Sequence, residues 1–144
     1  MGCIPGEAFE YSVPDWLAAD PVEGADRVCT QWFDAVAALH AMPVSAMPPG
    51  GRTVQEEAQH WLTVSQKSDA DPRLIAILEN LVKSPPRTSG PATPVHGDPK
   101  HGNCLWHEGK LTALLDWEMA LNGEPLSDLA YMLYTFENAY HPAT

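Results

Sequence analysis

The sequence predicts an α+β fold, mostly helical, with one small β-hairpin. Three observations carry that prediction. Apolar residues recur at helical spacing in several segments, as in Val28, Trp32, Val36 and Leu39 at steps of four, four and three. Helix-capping residues stand immediately before such segments. In "NCLWHEGKLTALLDW" two short apolar runs flank a glycine-bearing turn, the pattern of a hairpin. At 144 residues and 44% hydrophobic composition, the chain fits one domain with a real core.

In chain order, residues 1–22 are rich in Pro, Gly and Asp and read as an extended segment ending in a short helical turn. The first long helix is expected at about 25–42, with His40 near its C-terminal end, where a cation suits the helix dipole. The second, at about 54–66, has Thr53 as N-cap and Glu56 reaching back, a capping box. The third, at about 72–83, has Asp71 as N-cap and Pro72 in its first position; Leu74, Ile75, Leu78, Leu81 and Val82 mark its expected core face. "SPPRTSGPATP" stops it. The hairpin follows a polar loop, with Gly109 in its turn. A last helix is expected at about 125–140 with Leu126, Leu129, Leu133 and Phe136 on one side. The 14 prolines concentrate in the connections and at the ends.

A net charge of −11 disfavours nucleic-acid and anionic-membrane partners. The apolar runs are too short to span a bilayer. Cys3, Cys29 and Cys104 are few, far apart and without CxxC spacing, so reduced thiols in a cytoplasmic protein are expected rather than a disulfide framework or zinc knuckle.

The polar loop is "HGDPKHGN", residues 96–103. Asp98 and Asn103 lie five apart within it, and Asp116 follows Asn103 across the hairpin. A hairpin returns the chain to its origin, so Asp116 should come back near Asn103. Two carboxylates and an amide then share a small space, a set of hard oxygen donors suited to Mg²⁺. Without a cation the two carboxylates would repel each other. A zinc site drawn from His96, Asp98, His101 and His107 has spacings that match no zinc signature.

"HGDPKHGN" followed by "LLDWE" resembles the catalytic and metal loops of the aminoglycoside phosphotransferase and choline kinase-like group, small-molecule kinases of protein-kinase-like fold. "NGEPLSDLAYML" is similar to the family's G-D-P-x-x-D-L-A segment, and "LLDWEMALNGEPLSDLAYML" resembles most the branch attached to acyl-CoA dehydrogenase-like proteins. The specific motifs cover residues 95–133. By this resemblance Asp98 is the catalytic carboxylate, with Lys100 beside the transferring phosphate. Asn103 and Asp116 are the metal ligands, and His96, Glu118 and Asp128 are supporting residues. The implied cofactors are Mg²⁺ and ATP or another nucleoside triphosphate, and the implied partner is a small-molecule hydroxyl substrate.

The resemblance also implies a kinase-like C-lobe at 23–144 behind a hinge-like segment at 1–22. The Gly-rich loop and lysine of an N-lobe are not recognisable. The expectation is therefore a truncated phosphotransferase or one completed by a separate N-lobe chain. A non-catalytic kinase-like lobe, acting as a binding or scaffold module, is the alternative.

Overall fold

The computed structural model describes residues 3–9, 14–48, 51–87 and 90–140, with side chains in the last helix described to Thr135. Parts of the hinge-like segment (1–2 and 10–13) and the side chain of Phe136 lie outside the described residues. The helices are α1 (Asp15–Ala18), α2 (Pro21–His40), α3 (Val54–Lys67), α4 (Pro72–Lys83) and α5 (Pro125–Tyr140). The strands are β1 (Thr93–Val95), β2 (Cys104–His107), β3 (Lys110–Leu114) and β4 (Leu121–Gly123). The mostly helical α+β architecture is the one expected. No helix among the described residues is long and apolar enough to cross a membrane.

Helix α2 begins at Pro21, earlier than apolar periodicity alone suggests. Asp20 caps it by accepting a hydrogen bond from the Glu23 amide, and Pro21 supplies a preset φ in the first turn. Its stripe of Val28, Trp32, Val36 and Leu39 is buried, and the first three pack with Phe9, Leu17, Cys104, Trp106 and Met132 in the main core. Gln31 then ties the helix to the hairpin. Its amide nitrogen donates to the Gly109 carbonyl at 2.9 Å, and its amide oxygen accepts from the Leu111 amide at 3.0 Å.

Strands β2 and β3 form the expected hairpin, with His107 opposite Lys110 and Cys104 opposite Leu114. Glu108 and Gly109 both have positive φ, +50° and +73°, as a tight two-residue turn of matching twist requires. A bulge between Leu105 and Trp106 shifts the register. The outer edge of β2 is covered by the N-terminal segment, where Glu7 and Trp106 exchange two backbone hydrogen bonds of 2.9 Å.

One apolar stripe departs from expectation, that of α4. On α4 only Leu78 is buried, while Leu74 is 44% exposed, so the leucine face of this helix is not a closed core face. On α5 the inward residues are Asp128 and Met132, one turn apart, and Leu126 and Leu133 are exposed. Asp128 is drawn inward by backbone amides of the polar loop, and that turns the leucines out. A second two-stranded sheet, β1 with β4, is also present, pairing Thr93–Val95 antiparallel with Leu121–Gly123. It brackets the polar loop and hairpin between its two strands, so both ends of that insertion are held together.

Candidate active site

The polar loop leaves β1 at Val95 and turns immediately. Gly97 has φ +83°, and a Cβ there would lie 2.5 Å from the Met119 carbonyl oxygen, so only glycine fits without a shift. The turn is held from behind by Asp128, a fully buried carboxylate. Its Oδ2 accepts from the His96 amide and its Oδ1 from the Gly97 amide, both at 2.8 Å. His40 Nε2 lies 2.9 Å from the same Oδ2. These contacts account for a carboxylate with no exposure to water.

His96 is itself fully buried. Its Nδ1 accepts from the Asp98 amide at 3.4 Å, which places the ring proton on Nε2 in the neutral form. The Trp117 ring covers it, with centroids 4.6 Å apart. On the other side of the loop, Trp32 Nε1 donates to the Pro99 carbonyl at 2.8 Å. The backbone around Asp98 is thus fixed from α2, from α5 and from within the loop.

The Asp98 carboxylate has two unlike oxygens. Oδ2 accepts from Asn103 Nδ2 at 3.1 Å and faces Lys100 Nζ at 3.4 Å. Oδ1 is buried from solvent. The Tyr131 hydroxyl lies beside this carboxylate. Burial first, and then Asp98, push the phenol's pKa up, so Tyr131 keeps its proton.

Asn103 Nδ2 also donates to the Asp98 carbonyl oxygen at 3.0 Å. Both partners are acceptors, so the NH₂ end must face them and the amide oxygen must face away. Among the described residues that amide oxygen has no donor.

The Asn103 carbonyl accepts from the Leu115 amide at 2.8 Å, one step beyond the Cys104–Leu114 pair. Asp116 is therefore the next residue along from Asn103's backbone partner. It is exposed, makes no hydrogen bond or ion pair among the described residues, and adopts a left-handed backbone with φ 62° and ψ 64°. Such a conformation is uncommon outside glycine, and Asp adopts it more readily than most residues. Glu118 stands two residues further on, exposed in the 3₁₀ turn Trp117–Met119, and makes no hydrogen bond among the described residues.

The structure thus brings Asp98, Lys100 and Asn103 into direct contact, places Asp116 at the hairpin exit next to the backbone partner of Asn103, and seats His96 and Asp128 behind the loop. No group of three His, Cys, Asp or Glu side chains among the described residues could hold a metal ion. The zinc alternative therefore has no cluster to stand on. The oxygen set of Asp98, Asp116 and the Asn103 amide is of a different kind. An exposed carboxylate without a partner and an amide oxygen turned from its neighbours fit a hard cation that keeps most of its water. Asn103 and Asp116 would hold such an ion.

Sequence reasoning did not single out Tyr131 at the site, nor Trp117 as the cover of His96. Tyr131 lies three residues after Asp128 in "SDLAYML", which puts the two on neighbouring faces of one helix. That spacing was the available signal.

The phosphotransferase enzyme family matches the sequence over residues 1–144. The chain belongs to that family. It is 27% identical over 142 residues to acyl-CoA dehydrogenase family member 11 of Rattus norvegicus, a match covering 92% of this chain and 18% of that protein. A candidate aminoglycoside phosphotransferase of Ralstonia eutropha has the same fold. The TM-score is 0.76 at 22% identity, covering 99% of this chain and 44% of that one. So has an aminoglycoside phosphotransferase of Streptomyces rimosus solved with ADP and streptomycin, with a TM-score of 0.63 at 16% identity, covering 97% of this chain and 55% of that one. The chain spans less than a fifth of the rat relative and about half of these two phosphotransferases. Within the phosphotransferase family its residues form a kinase-like lobe.

Proposed function

We propose that this chain is the catalytic lobe of a Mg²⁺- and ATP-dependent phosphotransferase that moves the γ-phosphoryl group to a hydroxyl of a small molecule. The observation that carries the reading is the Asp98–Asn103 contact beside the hairpin exit where Asp116 emerges. It sets a carboxylate for the acceptor hydroxyl next to an amide and a carboxylate for a metal. Membership in the phosphotransferase family supports it, as does the nucleotide bound to the Streptomyces protein of like fold.

Asp98 holds the acceptor hydroxyl and takes its proton as the new O–P bond forms and the bond to the leaving nucleoside diphosphate breaks. Asn103 fixes the carboxylate's rotation through Oδ2, and Lys100 lies where it can balance negative charge on the transferring group. His96 and Asp128 hold the loop backbone. Mg²⁺ bound by Asn103 and Asp116 supplies charge neutralisation on the phosphates. Completion of the nucleotide cleft by an N-lobe, in the same polypeptide or a separate one, and work in the cytoplasm are part of this reading.

The test uses the full-length protein that carries this chain. Asp98→Asn should lower kcat by about 100- to 10,000-fold, the usual worth of a positioned base, while Mg²⁺·ADP affinity stays near that of the parent. Asp116→Asn should weaken Mg²⁺·ADP binding in calorimetry. Undiminished turnover in both variants would overturn the assignment. Loss of nothing but thermal stability in both would favour a binding or scaffold lobe instead.

A further inference from the structure

Beside the catalytic loop, the structure encloses a cavity of about 490 Å³ between α3, α4 and the segment running from β4 into α5. Its walls are largely apolar, with Trp61 from α3, Leu78 from α4, Leu121 from β4 and Leu126 from α5. At one end stand Gly97, which precedes Asp98 in the chain, and Tyr131, beside the Asp98 carboxylate. The cavity therefore reaches residues that flank Asp98. Its size lies within the usual range of small-molecule sites.

The charged side chains in the lining are Arg52, Arg87, Glu57 and Glu124, two of each sign. Glu57 accepts from Arg52 Nη1 at 2.9 Å and from Trp61 Nε1 at 2.7 Å, and Glu124 is engaged as well. Because its indole N–H is satisfied by Glu57, Trp61 offers the cavity only its apolar ring surface. An ammonium group entering this space would lose water and gain no free carboxylate from those two acids. The acidic surface of the chain would still draw cations towards the protein, but a surface field is no substitute for a partner inside a cavity.

We propose that this cavity is the acceptor pocket and that it takes an alcohol with a neutral, apolar body rather than a polycation. The inference rests on the phosphotransferase reading for its name as an acceptor pocket. Its walls and charges stand without it. The bound alcohol lies with its apolar part against Trp61 and Leu78 and its hydroxyl towards Asp98 and Tyr131. That hydroxyl gives its proton to Asp98 as its oxygen joins the transferred phosphorus, and the nucleoside diphosphate departs.

The experiment is a binding titration, so it does not depend on turnover. Full-length protein is titrated calorimetrically with 1-octanol and with 8-amino-1-octanol at pH 7, where the amine is charged. Octanol should bind at least tenfold more tightly. Leu126→Arg and Trp61→Ala, both at partly exposed positions that folding tolerates, should each weaken octanol binding at least fivefold. Circular dichroism confirms that the variants are folded. Three results would overturn the proposal: equal or tighter binding of the amine, octanol binding indifferent to both variants, and no octanol binding up to its solubility limit, as when another part of the polypeptide fills the cavity. Octanol binding that follows the variants in a protein without phosphotransferase activity would preserve the apolar cavity and sink only the catalytic reading.

Discussion

Asp128 shows how one side chain can decide the shape of a site it does not enter. Its carboxylate is buried without water, yet it satisfies two loop amides and meets His40. Removing it would strand the His96 and Gly97 amides in a dry interior and leave His40 without its acid. Asp128→Ala should therefore destabilise the fold by about 2–4 kcal/mol, since each buried amide left without its acceptor costs about 1–3 kcal/mol. Urea unfolding followed by tryptophan fluorescence measures this directly. A cost under about 1 kcal/mol would show that the loop is held by something else. Its supporting role was legible through the resemblance of "NGEPLSDLAYML" to the family's G-D-P-x-x-D-L-A segment. The sequence did not announce His40 as its neighbour, since 88 residues separate the two and no local pattern encodes that contact.

At the scale of elements, legibility followed the range of the interactions that form each one. The capping box of α3 lies within four residues, and the structure has it whole, with the Thr53 hydroxyl accepting from the Glu56 amide and the Glu56 carboxylate accepting from the Thr53 amide. The β2–β3 hairpin is equally local, and its turn residues carry the required backbone angles. By contrast, β1 and β4 are three residues each, too short for an alternating pattern, and they pair across a gap of 25 residues between Val95 and Leu121. The leucine stripe of α4 misled for a related reason. Periodicity marks which residues share a face but not which face meets the core. The capping box also has a pH signature. Hydrogen bonds from the Thr53 backbone first, and from its hydroxyl second, hold the Glu56 carboxyl below its ordinary value. The unfolded chain therefore takes up this proton before the folded one. The box's contribution is present above the ordinary Glu range and fades as pH falls through the lowered value. Thr53→Ala should cost about 1 kcal/mol at pH 7, and the difference from the parent should shrink towards pH 3. Thermal unfolding at both pH values checks it, and a difference that grows in acid would refute this account of the cap.

Across the whole molecule, stability is unevenly spread, and that bears on function. Helix α2 buries five residues, clamps the hairpin through Gln31 and anchors the catalytic loop through Trp32. Helices α3 and α4 pack mainly on each other, and α4 buries one residue of twelve. The half of the lobe that presents Asp98 is therefore rigid, while the α3–α4 pair, which walls the apolar cavity, is weakly attached. Elements that admit and release ligands are drawn from such low-stability regions. Native-state hydrogen exchange should show the amides of α4 exchanging at least tenfold faster than those in the middle of α2. Saturating 1-octanol should slow α4 and leave α2 unchanged, because a ligand filling the cavity replaces the contacts that α4 lacks and stabilises only the state in which that wall is closed. Uniform exchange across the two helices would mean that the lobe opens as one unit. Slowing that spreads equally to α2 would mean that octanol stabilises the fold as a whole instead of closing one wall of its own pocket.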